Sequence, residues 1–263
     1  MTRLSLAFFL LVAVIPAGCQ AQAYRAPRDA DGRPDLNGVW QALNEANWDI
    51  QGHAAAPGPV VALGAAGAVP PGLGVVEGGE IPYQPSALAK KRENYEARLT
   101  QDPEIRCYLP GVPRATYMPY PFQIIQSQQH IMMVYTYAGA VRTIYMENHT
   151  EAPADSWMGW SNGRWEGETL VVETTGFNDR TWFDRAGNFH SDALKVVERY
   201  TAMSPDHISY EVTIEDPNVF TRPWKMSMPL YRRKERDAEI LEFRCVEFVE
   251  ELIYGHLRKQ PSQ

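Results

Sequence analysis

The chain has 263 residues, a formal net charge of −7, and a composition that is 44% hydrophobic and 11% aromatic. That is enough apolar material for one large all-β domain or two small ones. The acidic balance, with no Lys/Arg cluster to neutralise phosphates, excludes nucleic acid and argues against an anionic membrane surface as partner.

Residues 1–23 read as a secretory signal. Arg3 provides a positive start, residues 4–17 are apolar but too few to span a bilayer, and Ala21-Gln22-Ala23 offers a small-x-small cleavage site. The competing reading is a lipoprotein anchored at Cys19 after Ala17-Gly18, with Pro16 standing where such signals usually carry Leu. Either way the protein is expected outside the cytoplasm, periplasmic or secreted. Export leaves Cys107 and Cys245, which are either one disulfide in an oxidising compartment or two separate buried thiols. No Cys-x-x-Cys and no Cys/His cluster of zinc spacing occurs, so no structural metal is expected.

Residues 24–121 form the expected N-terminal part. A first strand covers 36–42, entered through Gly38-Val39-Trp40. The Gly-, Ala- and Pro-rich run 43–84 reads as a mobile loop or lid, with disorder expected for 54–79. The Ala, Lys, Glu and Arg content of 85–99 predicts one helix, with Leu88, Tyr95 and Leu99 as a sparse apolar stripe. Through 102–123, Pro103, Pro110, Pro113, Pro119 and Pro121 forbid a regular ladder or helix. Tyr108, Tyr117, Tyr120 and Arg114 are interleaved with them, in a segment suited to capping one end of a barrel.

Residues 122–255, with 36–42, form the expected core, leaving 256–263 as a tail. Alternation marks strands at 124–127, 131–138 and 140–148, then at 208–215 and 224–230, and a last one at 241–249 with Leu241, Phe243, Cys245, Glu247 and Val249 inward. Between them, Asp184-Arg185-Ala186-Gly187-Asn188 reads as a hairpin loop that places Trp182 opposite His190 and Arg180 opposite Asp192. From there His190, Asp192, Leu194, Val196, Glu198 and Tyr200 share the inward face of one strand. About nine strands with short connections make a mainly β fold. It is an antiparallel meander closing as a barrel or strongly curved sheet, with one peripheral helix and long Pro/Gly-rich N-terminal loops.

Gly38-Val39-Trp40, followed by antiparallel strands, resembles the opening of the lipocalin-like (calycin) barrels, whose first strand begins with Gly-x-Trp. The long insertion between 43 and 122 departs from the plain lipocalin pattern. The block 157–232, with Asp216-Pro217 ahead of Phe220-Thr221-Arg222-Pro223-Trp224, also looks like exported bacterial proteins without assigned chemistry, and transfers no site. What the lipocalin resemblance implies is a barrel whose mouth holds one small, largely apolar ligand.

Ionisable groups on an apolar strand face point to a lined cavity. His190 is the candidate base and Asp192 the carboxylate that would orient it, with Glu198 or Tyr200 as acid. The alternative is structural: Arg180 pairing with Asp192, His190 stacking on Trp182, and Glu198 meeting Arg142 or Arg244. A metal site from His190, Asp192 and His149 has only generic spacing. No Gly-x-Ser-x-Gly elbow exists, and Gly72 and Gly74 lack the strand and helix of a nucleotide loop. Arg180, Trp182, Tyr210, Trp224, Arg142 and Tyr120 are the candidate ligand contacts. Three readings follow: an exported barrel binding a small apolar or aromatic molecule, a cofactor-independent isomerase, dehydratase or lyase on that scaffold, and an envelope assembly protein working through 43–121.

Overall fold

A computed structural model describes residues 24–258. The leader, Cys19 and the end of the 256–263 tail lie outside the described residues. Nine strands form the body: β1 (Gly38–Ala42), β2 (Phe122–Gln126), β3 (His130–Tyr135), β4 (Val141–Tyr145), β5 (Trp160–Glu166), β6 (Thr169–Thr175), β7 (Lys195–Ser204), β8 (His207–Glu215) and β9 (Trp224–Arg232). They pair in sequence order and close as a barrel, β9 returning to β1 through Trp40↔Arg232. Closure removes every unpaired sheet edge.

The meander expectation needs one amendment. A ring of nine strands cannot alternate in direction all the way round, so one adjacent pair must run the same way. That pair is β4–β5, parallel through Ile144↔Ser161 and Tyr145↔Asn162, and the connection 146–159 carries the chain back between them.

Period-two side-chain alternation decides what fills the barrel. On β7 the buried residues are Val196, Glu198 and Tyr200; on β8 Ile208, Tyr210, Val212 and Ile214; on β9 Trp224, Met226, Met228 and Leu230. These parities match the pattern read from the sequence. Each fully buried apolar side chain contributes about 1.5–3 kcal/mol.

Four sequence expectations are corrected. The inward parity of β7 does not reach back to His190, because β7 begins at Lys195 and a turn at 192–193 precedes it. Ser191 makes that turn: its Oγ accepts from Ala193 N at 3.1 Å, while its own N and Oγ donate to Asp216. The loop's bridge is Trp182↔Phe189, so Trp182 does not face His190 and Arg180 does not face Asp192. The strand expected at 241–249 is absent as well. Residues 233–248 are irregular and lead into helix α4 (Val249–Arg258), since the closed barrel offers no edge for a tenth strand to join.

The fourth correction concerns 54–79, which is built onto the barrel. Bridges His53↔Gly72, Ala56↔Val69 and Val76↔Met226 pin it, and Val60 and Val76 are buried. Helix α1 (Pro85–Glu96) and the single turn α2 (Arg98–Gln101) stand where one helix was expected. Within the proline-rich stretch, the short helix α3 (Arg114–Tyr117) follows Pro113, and all four of its residues are buried. Ala115 and Tyr117 belong to the same apolar core as the barrel. Among the described residues no helix is long and apolar enough to cross a membrane.

Chain direction places the long loops. The insertion 43–121 leaves from the end of β1 and returns at the start of β2, so it stands at one end of the barrel. Loops 176–194 and 216–223 join it there. The C-terminal segment starts at the opposite end and comes back, tied by a disulfide between Cys107 and Cys245 across 138 positions of sequence. On the chain-entropy model such a link stabilises by about 5 kcal/mol.

Candidate functional site

Two buried polar clusters stand out, one in the lumen and one at the plugged end. In the lumen, Arg142 of β4 pairs with Glu198 of β7, and its guanidinium also donates to Ser161 Oγ at 2.8 Å and Thr174 Oγ1 at 2.7 Å. The other Glu198 oxygen accepts from the hydroxyls of Tyr200 (2.8 Å) and Tyr210 (2.7 Å). All six side chains are at most 2% exposed. Burial, then the Glu198 charge, pushes both phenols well above their ordinary range. Strand parity builds this cluster, because each member sits at an inward position. Arg142 is the partner of Glu198; Arg244 instead pairs with Glu242 on the exposed C-terminal segment.

His190 is buried at 2% exposure in the loop before β7. Its Nδ1 donates to the Ser191 carbonyl at 2.8 Å, which fixes the tautomer and leaves Nε2 to accept from Thr181 Oγ1 at 2.6 Å. Burial lowers its pKa, disfavouring the imidazolium. Phe177 and Phe183 flank it, with ring centroids at 5.8 and 5.4 Å. Asp192 is exposed and both ring nitrogens bond other partners, so it does not orient this imidazole. Arg180 is exposed too, and makes no ion pair among the described residues. His149 bonds the Gly163 carbonyl, and no group of three metal-ligating side chains gathers among the described residues. Trp182 is buried; Trp224 packs edge-on against Phe183 and Phe220.

The second cluster is assembled from loops. Arg114, 1% exposed on α3, forks onto Asp102 at 2.8 and 3.1 Å, reaches Glu104 at 2.6 Å and donates to Asn47 at 2.9 Å. Arg185 grips the same Glu104 with two bonds of 2.8 Å. Burial works to raise the Glu104 carboxyl, but the Arg185 bonds and the Arg114 charge outweigh it and hold the pKa at about 2. Arg185 remains 23% exposed, with its guanidinium 4.3 Å above the Trp48 ring.

The loop carrying Arg185 is firmly set. Asp184 accepts from Ile50 N, Ala186 N and both nitrogens of Asn188. Gly187, at φ +82, lies where a Cβ would come within 2.7 Å of the α1 backbone, so only glycine lets that helix approach so closely.

Two clefts open beside this cluster. The smaller, about 160 Å³, is bordered by Trp48, Asp49, Tyr95, Leu99, Ile105 and Arg185. The larger, about 280 Å³, is bordered by Tyr120, Tyr137, Phe243, Phe248, Ile105 and Arg185. Leu99, Ile105, Arg185 and Glu250 are common to both. Of the candidate ligand contacts, Tyr120 therefore borders a cleft, whereas Arg142 and Tyr210 bond within the lumen. Sequence reading passed over Glu104, Arg185 and Trp48 as site residues. The available signal was the clustering of Asp102, Glu104 and Arg114 among prolines and tyrosines, where solvent-facing charge has no helix or strand to decorate.

No family model matches the chain, and no curated protein matches it.

Proposed function

We propose that this protein is an exported β-barrel that binds a small apolar or aromatic molecule, held at the plugged end of the barrel. The observation that carries this is the pair of clefts around Arg185. A little over half of their lining is apolar, with charged side chains such as Arg98, Glu250 and Arg258 between, and the Arg185 guanidinium common to both is fixed by a carboxylate behind it; apolar walls with a few placed polar groups suit a small-molecule site. Size supports it: a cavity of roughly 150 Å³ accepts a benzene ring, and the smaller cleft is about 160 Å³.

The lumen supports a position at the mouth over one in the middle. The Arg142–Glu198 cluster at its centre is satisfied by its own members, and its apolar positions belong to the packed core. The acid–base reading has weaker support, because both nitrogens of His190 are engaged by Thr181 and Ser191 and Asp192 is exposed. Export draws support from the Cys107–Cys245 disulfide, since such bonds persist in oxidising compartments.

The test is native mass spectrometry of protein recovered from the exported fraction, followed by titration with 2-naphthol. A co-purified small molecule, or saturable probe binding weakened about 10-fold by Trp48→Ala, is expected. Protein that is empty and binds no aromatic probe would overturn the proposal.

A further inference from the structure

We propose that the C-terminal strap, residues 233–258, is a redox-released wall of the larger cleft: reduction of Cys107–Cys245 frees it and weakens ligand binding there. This rests on the binding reading above. Phe243, Val246, Phe248 and Glu250 of the strap form one side of that cleft, opposite Tyr120, Tyr137 and Ile105.

Beyond its root, where Arg233 N donates to the Val39 carbonyl at 2.8 Å and Lys234 pairs with Asp206 at 2.6 Å, the strap is held lightly apart from its covalent link. It adds no strand to the closed barrel. Where it meets the cleft, its polar ties to the body are Phe248 N donating to the Ile105 carbonyl at 2.9 Å and a loose Arg185–Glu250 pair at 3.7 Å. Half-exposed pairs of that kind contribute little. The Phe243 ring rests against Tyr120 and Tyr137 at 5.0 and 5.3 Å, but Leu241, Val246, Leu252 and Ile253 are each more than half exposed. Apart from α4, which lies against Val61–Gly67 with Gly255 buried, the segment 235–248 buries too little to hold its place unaided. Cys107 belongs to the body, where its N donates to the Glu104 carbonyl at 3.0 Å, so cleavage releases the Cys245 side. Both half-cystines are only partly buried, which admits an attacking thiolate.

The reductant required is a dithiol. One of its thiolates attacks a sulfur of the pair and forms a mixed disulfide, expelling the other as thiolate. The second dithiol sulfur then resolves the intermediate. The reductant leaves as a disulfide and the protein keeps two thiols, having received two electrons and two protons.

The experiment compares oxidised protein, protein reduced with dithiothreitol, and reduced protein re-bridged through a single methylene between the two sulfurs. Hydrogen exchange and tryptic cleavage after Arg233, Lys234 and Arg244 report the strap, and 2-naphthol titration, compared with Phe243→Ala as the variant that removes a ring lining the larger cleft alone, reports that cleft. Reduction should deprotect 234–258 while β7 and β8 stay protected, and should weaken 2-naphthol about 10-fold, the equivalent of one lost aromatic contact. Re-bridging should restore both readouts. Unchanged strap exchange on reduction would overturn the inference and leave the binding reading standing, as would a released strap with unchanged affinity. Loss of protection in β7 and β8 together with the strap would overturn it as well, by making the bond a staple of the whole barrel. A probe that binds neither form would overturn the binding reading and, with it, the strap's role there.

Discussion

The lumen cluster and the rim cluster use the same chemistry to opposite ends. Each centres on an arginine at most 2% exposed and satisfied by carboxylate oxygens. In the lumen, one carboxylate meets one guanidinium and two phenols, and every member faces inward from a strand. At the rim, two carboxylates hold two guanidiniums, and the second of these, Arg185, keeps a face toward an opening. A buried ion pair stabilises only when its remaining donors and acceptors are also met. The lumen meets them among its own members and so closes. At the rim, Arg114 and Glu104 act as the foundation beneath a group that still has a surface to offer.

The largest expected effect breaks the lumen side of this contrast. Glu198→Ala leaves Arg142 charged and unpaired in the barrel and should cost about 3–5 kcal/mol in urea unfolding, while Glu198→Leu with Arg142→Met should recover most of that loss. A cost under about 1 kcal/mol would mean that water reaches the lumen.

The rim should show its own pH signature. The Glu104 carboxyl is held at about 2 against an ordinary 4.5. A depressed carboxylate pKa gives stability that is present above the unfolded value and lost as pH falls through the folded one. Stability should therefore decline between about pH 4.5 and 2, and Glu104→Gln should flatten that decline while costing about 1.5–3 kcal/mol at neutral pH. Denaturation midpoints at pH 7, 4 and 2.5 measure it; an unchanged slope in the variant would shift the titration to another carboxylate.

A smaller effect separates the two regions by binding. Tyr210→Phe removes one hydroxyl from Glu198 and should cost about 1 kcal/mol of stability with 2-naphthol affinity unchanged, the reverse of the pattern set for Trp48→Ala. Smallest of all, Asp192→Asn should alter stability by less than about 0.5 kcal/mol, because that carboxylate faces solvent. A large loss in this variant would restore Asp192 as the partner of His190.

Strand content, inward parities from β7 through β9 and barrel architecture were legible because an inside and an outside imprint period two on every strand. The same rule misled at 190–194 and 241–249. In the first, Asp216 captures Ser191 and a turn resets the parity before β7 begins. In the second, the alternation of Leu241, Phe243 and Cys245 is real, but pairing needs an edge that closure has removed. The Glu198–Arg142 pair was foreseeable as an alternative because both residues occupy inward strand positions. The rim cluster was not, since Asn47, Asp102, Arg114 and Arg185 come from loops whose meeting no periodicity encodes.

Sequence by itself determined the acidic, all-β character, the order of the strands and which side of most strands is buried, since these follow from local alternation and composition. Tertiary structure alone decided the parallel β4–β5 junction, the pairing of Cys107 with Cys245 and the clefts beside Arg185. Each depends on ring closure and on loops converging at one end of the barrel, and such long-range geometry leaves no local trace along the chain.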